Sequence, residues 1–144
     1  MKRLVLQSKR FFLIMILCPV AISCGSSNDN YPQNYVGFKR SLLEMSVGNT
    51  RTEVEAEIQI IAVKKADHDR TLVLTPPAPF HGQGPFFELS DERVTIQAGE
   101  KSASVTIKVF PKQMILKTQN IAVTCTPQWK GGEISRLTIK LKKE

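Results

Sequence analysis

The chain has 144 residues, a length that predicts one domain, and its hydrophobic content of 42% excludes a largely disordered protein. Its formal net charge is +7, but four of its 20 basic residues and none of its 13 acidic residues precede Cys24. Removal of that leader leaves 16 basic and 13 acidic residues, a net charge of +3. A mildly basic surface without an arginine stripe lacks the electrostatic footprint of a nucleic-acid-binding protein.

The first 23 residues have the pattern of a cleaved leader. Residues 1–10 are basic, and residues 11–22 form an almost wholly apolar run. A helix of about twelve residues covers about 18 Å, which is too short for the ~30 Å hydrocarbon core of a bilayer. A basic start, a short apolar core and a small residue before the cut therefore predict a signal peptide over residues 1–23 rather than a transmembrane helix.

The end of this leader, Ala21-Ile22-Ser23-Cys24, resembles the lipobox of bacterial lipoproteins, in which a small residue directly precedes the cysteine. The resemblance implies that Cys24 carries the lipid and becomes the first residue of the mature protein, which is thereby held at a membrane. Gly25 stands where inner-membrane retention is associated with aspartate, so the same resemblance implies the outer membrane, with the periplasmic or cell-surface face left open. The alternative is an ordinary secretory peptide cut elsewhere.

Residues 24–34 are mostly polar and rich in serine and asparagine, which predicts a flexible tether between the lipid and a folded domain over residues 35–144. The leader and tether together resemble those of Bacteroidetes lipoproteins. Cys18 leaves with the leader and Cys24 is acylated, so Cys125 has no partner for an intramolecular disulfide. Because Cys125 alternates with Ile121 and Val123, we expect a small buried hydrophobic side chain rather than a reactive thiol.

From about residue 35 the apolar side chains recur with a period of two, which indicates strands. Residues 52–63 form the longest such run, with five apolar residues on one face and Glu53, Glu55 and Glu57 on the other, a solvated face. Six more short strands are predicted at residues 71–75, 86–89, 94–96, 102–110, 121–125 and 137–141, and Pro76-Pro77-Ala78-Pro79 ends the second strand of the seven. About seven strands without a helical period predict a single all-β domain, an antiparallel immunoglobulin-like β-sandwich.

The last two strands are predicted to form a hairpin around Gly131-Gly132. A two-residue turn would set apolar side chains opposite polar ones, whereas a three-residue loop over residues 130–132 keeps the apolar faces together. That loop would place Cys125 opposite Leu137 and give one glycine a positive φ. The inward residues would be Ile121, Val123, Cys125, Leu137, Ile139 and Leu141.

One segment carries a second resemblance. A turn over residues 67–70 is followed by Val94-Thr95-Ile96-Gln97-Ala98-Gly99-Glu100 and then by Val105-Thr106-Ile107. This order resembles Calx-beta-like and related immunoglobulin-like domains of Bacteroidetes lipoproteins, over roughly residues 36–144. Calcium-binding members of that group cluster several acids in loops. Here the only loop acids that are close together in the sequence are Asp67, Asp69, Asp91 and Glu92, so the resemblance is not taken to imply a calcium site.

No catalytic or cofactor motif stands out, so the sequence predicts a protein that is not an enzyme and holds no metal. Asp67-His68-Asp69 has ligand-type residues, but neighbouring residues in a turn seldom reach one ion, and His81 would join them only if two loops met. Neither histidine lies in a nucleophile motif.

Aromatic side chains are the best candidates for a ligand site: Trp129 beside the glycine pair, and Phe86 and Phe87 beside a long loop that also contains Phe80. They equally suit capping of the core. Two functions follow from these alternatives. The first is a non-catalytic structural or protein-interaction domain that contacts another envelope protein. The second is a glycan-binding module, which a flat, exposed ring beside polar groups would favour.

Overall fold

The computed structural model describes residues 31–79, 82 and 84–144. The predicted signal peptide, Cys24 and the first part of the tether, together with Phe80 and His81, lie outside the described residues. Within them, no helix is long and apolar enough to cross a membrane.

Nine strands follow one another along the described chain. They are β1 (Val36–Phe38), β2 (Leu42–Val47), β3 (Val54–Ala62), β4 (Arg70–Thr75), β5 (Phe87–Leu89), β6 (Arg93–Ile96), β7 (Ser102–Val109), β8 (Thr118–Pro127) and β9 (Ser135–Lys143). A single 3-10 turn, Pro111–Gln113, lies between β7 and β8, where Pro111 ends the β7 pattern. The seven predicted strands are confirmed, and β1 and β2 add two short strands before them.

The strands form two sheets that pack face to face as a β-sandwich, as the alternation predicts. The first sheet has the order β1-β3-β7-β5, and the second has the order β2-β9-β8-β4-β6. All pairs are antiparallel except one, since β2 runs parallel to β9. Consecutive strands from β3 to β8 alternate between the two sheets, so each sheet depends on pairings that are distant in the sequence.

The core lies between the sheets and contains the predicted inward faces. In β3 the apolar positions point inward while Glu53, Glu55 and Glu57 remain in solvent, where Lys108 lies 3.6 Å from Glu53 and 3.4 Å from Glu55. Ion pairs this exposed stabilise the fold by little. The largest fully buried aliphatic side chains come from both sheets: Ile60, Leu72, Leu74, Ile96, Ile107, Ile121, Ile139 and Leu141.

The β8–β9 hairpin has the predicted inward faces, but the predicted register is wrong. Cys125 lies opposite Ser135 and Val123 lies opposite Leu137, a shift of two residues from the three-residue loop. A shift of two leaves every side chain on its own face, so the burial pattern cannot detect it. The loop is longer because the N–H of Gln128 donates to the Thr71 carbonyl of β4, at 3.0 Å, and so extends β8 along its other neighbour. Gly131 has the predicted positive φ, at 85°.

The sandwich has two ends, which we call the tether end and the far end. At the tether end the chain enters β1, β3 finishes at Ala62 and β8 finishes at Pro127. At the far end β3 begins, β7 finishes at Val109 beside Phe87, and β8 begins at Thr118. At about 3.3 Å per residue, the ten residues of β8 separate the two ends by about 30 Å.

Candidate binding site

The aromatic candidates lie at opposite ends of the molecule. Trp129 follows β8 at the tether end, whereas Phe86 and Phe87 stand at the start of β5 at the far end. The length of β8 places them about 30 Å apart. The structure therefore brings Phe86 and Phe87 together, in an edge-to-face contact with ring centroids 5.2 Å apart, but it does not bring Trp129 to them.

Trp129 is half-buried and packs against the core, close to the point where the tether joins the domain. The last part of the predicted tether is described there: Tyr31 stacks on Tyr35 with ring centroids 4.6 Å apart, and the Tyr35 hydroxyl donates to the Phe38 carbonyl at 2.6 Å. Trp129 lines a cleft of about 290 Å³ that also contains Tyr35, His68 and Arg70. The ring is neither fully buried nor a flat exposed platform.

The Asp67–Arg70 turn, which carries part of the Calx-beta resemblance, has a structural role. The Asp69 carboxylate accepts the Ala98 N–H at 2.8 Å, and the buried Arg70 side chain donates to the Glu100 carbonyl at 3.2 Å. These bonds fasten the turn before β4 to the turn before β7. Asp69 thus bonds to a residue that is distant in the sequence.

The other ligand-type residues of this turn remain in solvent. His68 Nδ1 lies 2.8 Å from Asp67 Oδ1, and this hydrogen bond lowers the pKa of the Asp67 carboxyl. No group of three histidine, cysteine, aspartate or glutamate side chains within the described residues could hold a metal ion. Cys125 is buried, as predicted, and burial raises the pKa of its thiol to about 11, so the thiol is protonated at neutral pH.

The largest cavity that the described residues line lies in the far half of the sandwich, and we call it the edge groove. Its volume is about 760 Å³, and its lining comprises residues 76–79, 84–90, 92, 116, 118–120 and 122. The proline-rich segment after β4 forms one wall, β5 with the aromatic pair forms a second, and the first half of β8 forms the third. The groove has the size of a ligand site and combines apolar walls with a few polar groups.

The β8 wall of the groove is an unpaired strand edge. β4 pairs with β8 only from Thr124 to Pro127, because β4 stops at Thr75 and the prolines that follow cannot continue the ladder. Since the Gln128 N–H points toward β4, the even-numbered residues of β8 direct their backbone N–H and C=O groups to that side. Residues 118–122 precede the part of β8 that pairs with β4. The backbone groups of Thr118, Asn120 and Ala122 therefore lie along the groove and have no backbone partner among the described residues.

Gln119 is a polar residue on the inward face of β8, in line with Ile121, Val123 and Cys125. Its side-chain Oε1 is buried and has no hydrogen-bond partner within the described part of the chain. A buried oxygen of this kind is costly unless a donor reaches it. Because Gln119 also lines the groove, a bound ligand could supply that donor.

The charged residues that line the groove are Glu88 and Glu92, both exposed, with no lysine, arginine or histidine among the described lining residues. The edge groove therefore offers backbone donors and acceptors along β8, an aromatic pair on the opposite wall, and a negative rim. The aromatic pair was predicted from sequence, but the strand edge, Gln119 and the two carboxylates were not. The polar residue at an inward position of β8 was the available sequence signal.

Comparison with known proteins supports the fold. No protein-family profile and no curated protein matches the chain. Among solved structures, a Bacteroides ovatus protein to which carbohydrate binding has been attributed matches with a TM-score of 0.57 and 10% identity, over 78% of this chain and 38% of that one. The apo form of the Calx CBD1 domain matches with a TM-score of 0.55 and 11% identity, over 76% and 96%.

The PapD-like domain 7 of human CEP192 has a similar fold as well, with a TM-score of 0.57 and 14% identity over 79% of this chain and 88% of that domain. At these identities the likeness shows the fold alone, a Calx-beta-like, immunoglobulin-like β-sandwich. The chain spans well under half the length of the Bacteroides ovatus protein.

Proposed function

We propose that the protein is a lipid-anchored, non-catalytic binding module of the bacterial outer membrane, and that it binds a partner in the edge groove. The observation that carries this proposal is the position of the groove, in the half of the sandwich away from the tether. A groove at the tether end would face the membrane, whereas one in the far half stands clear of it.

The dimensions support that arrangement. Cys24 and Tyr31 are seven residues apart, so the chain between the lipid and the described domain extends at most about 25 Å. The far end stands about 30 Å beyond the tether end along β8. Two or three acyl chains on Cys24 would hold the protein at the membrane far more firmly than one, because each buried methylene contributes about 0.8 kcal/mol.

Two cysteines of the leader region provide a matched test of the anchor. Cys24→Ala removes the proposed acylation site, and Cys18→Ala changes a cysteine that the proposed cut removes. We expect the first variant to be lost from the washed membrane fraction or to keep its leader, and the second to behave as the wild type. Mass spectrometry should find the mature N-terminus at an acylated Cys24. An unmodified Cys24 in a soluble wild-type product would overturn the anchored part of the proposal.

Glycan binding is the second candidate function, and the exposed part of the Trp129 ring favours it, although the ring is not a flat exposed platform. Its half-buried ring lies beside polar side chains in the cleft at the tether end, and the fold resembles that of a protein to which carbohydrate binding has been attributed. Trp129 is the only tryptophan, so its fluorescence reports on this cleft alone. A shift in emission with cello- or xylo-oligosaccharides, abolished by Arg70→Lys or His68→Ala, would favour this function. Unchanged emission would count against it.

A further inference from the structure

The free stretch of β8 has the requirements of a strand-binding site. Three alternate residues, Thr118, Asn120 and Ala122, present backbone N–H and C=O groups toward the groove. Alternate residues of a strand lie about 6.6–6.8 Å apart, which is the spacing at which a neighbouring antiparallel strand presents its own groups. The side chains at these three positions are exposed and of small or moderate size, so they leave the edge open.

We propose that the edge groove binds an extended, basic polypeptide segment of another envelope protein, which adds as a strand to β8 in the place that β4 leaves empty. This inference rests on the proposed function and names the class of partner. The added backbone would pair with Thr118, Asn120 and Ala122, in the manner in which extended peptides augment exposed sheet edges. The volume of about 760 Å³ between β8, β5 and the proline-rich wall provides the space.

The acidic side chains of the groove favour a bound segment that is basic. Glu88 and Glu92 stand at the rim, and neither has an ion-pair partner among the described residues. Lys108, which lies opposite Glu88 across the β5–β7 ladder, is engaged instead with Glu53 and Glu55, and its hydrogen bond to Glu55 raises its pKa. Both charged side chains that line the groove are therefore acidic, and lysine or arginine side chains of a bound strand would complement them.

The interior of the groove favours a peptide over a flat sugar. Its two rings pack edge-to-face and against the core, so they do not form one flat platform on which a sugar ring could stack. The buried Gln119 Oε1 lacks a donor, which a side-chain hydroxyl or amine of the bound segment can provide. Phe86, Phe87 and Leu116 supply apolar contacts for the alternate side chains.

The test uses the complete chain, as isolated in detergent, and three capped octapeptides. The first alternates lysine and valine, the second alternates glutamate and valine, and the third is the lysine peptide with alternate backbone nitrogens methylated. We expect the lysine peptide to bind and to slow amide hydrogen exchange in residues 118–122. We expect the glutamate peptide to bind at least about tenfold more weakly, and the methylated peptide likewise, because methylation removes the ladder donors.

A surface variant tests the rim separately. Glu88 and Glu92 are both exposed, so replacing both with glutamine should leave the fold intact while it weakens binding of the lysine peptide about three- to tenfold at low salt. The matched control replaces Glu133, an exposed acid in the loop at the tether end, with glutamine and should leave binding unchanged.

Two results would overturn the inference. One is that the lysine peptide fails to bind or binds without protecting residues 118–122, and the other is that the methylated peptide binds as well as its parent. If the lysine peptide fails in this way, protection of the same residues by cello- or xylo-oligosaccharides would assign the groove to glycans. None of these outcomes depends on acylation of Cys24, so failure here is distinguishable from failure of the anchor.

Discussion

Gly37 is a position at the tether end where one added methyl group should destabilise the fold. Gly37 belongs to β1 in the first sheet, and a Cβ built on it would lie 2.3 Å from the Oγ and 2.8 Å from the Cβ of Ser135, which begins β9 in the second sheet. The Ser135 hydroxyl also accepts the Phe38 N–H at 3.1 Å. Gly37→Ala must therefore push the two sheets apart or turn the serine away from its donor.

The expected cost follows from these contacts. Overpacking costs about 1–3 kcal/mol, and loss of a hydrogen bond adds about 0.5–1.5 kcal/mol. Alanine also lowers the conformational entropy of the unfolded chain relative to glycine, which stabilises the folded state by about 0.4–1 kcal/mol. We therefore expect the free energy of unfolding to fall by about 2 kcal/mol, within a range of about 0.5–4 kcal/mol.

Urea denaturation, followed by circular dichroism, measures this change. Gly48→Ala is the matched control, because its added Cβ meets only the Arg51 Cγ at 3.7 Å, which is ordinary contact. We expect that control to stay within about 0.5 kcal/mol of the wild type. Equal stability of the two alanine variants would refute the close packing of β1 on β9.

Three further outcomes are expected. Ile139→Ala, at a fully buried position, should lower the free energy of unfolding by about 2–5 kcal/mol, and Lys140→Ala, on the exposed face, by about 0.5 kcal/mol or less. The reverse order would contradict the assignment of the inward face of β9. The pKa of the Cys125 thiol rises from 9.0 to about 11 in the folded protein. The stabilisation of the fold by the buried, protonated thiol is therefore fully present below pH 9 and is lost as the pH approaches 11. The stability difference between wild type and Cys125→Ala should therefore shrink by about 2–3 kcal/mol over that window, and a constant difference would contradict the burial of the thiol. The melting temperature should not respond to a chelator, since the described residues contain no metal-binding cluster; a large fall would return Asp67-His68-Asp69 to consideration.

Alternation of side chains was sufficient to predict seven of the nine described strands and their buried faces, whereas β1 and β2 were not predicted. In β3 and β7 every apolar residue assigned inward packs in or against the core, because a half-buried sheet imposes a period of two directly on the sequence. The register of the β8–β9 hairpin could not be predicted from alternation. A shift of two residues preserves the pattern, and the deciding contact, from Gln128 to Thr71, joins strands distant in the sequence.

The edge groove could be predicted only in part for the same reason. The prolines after β4 and the polar Gln119 among inward apolar residues are both visible in the sequence. Whether these residues line a groove depends on where β4 stops along β8, and that point is set only when the sheet is assembled. Likewise, the sequence does not show that Trp129 and the two phenylalanines are far apart. The length of β8 in the folded sheet places them at opposite ends of the molecule.

The central claim, that the anchored protein holds its groove away from the membrane, can be measured by energy transfer. A donor dye is attached to Asn120→Cys in the groove or to Lys130→Cys in the loop at the tether end, and the lipidated protein is placed in vesicles that contain an acceptor lipid. Cys125 does not compete for the dye, because it is buried and its thiol pKa is about 11. The two positions are separated by more than about 20 Å along β8, so we predict clearly higher transfer from residue 130 than from residue 120. Equal transfer, or higher transfer from residue 120, would contradict the claim.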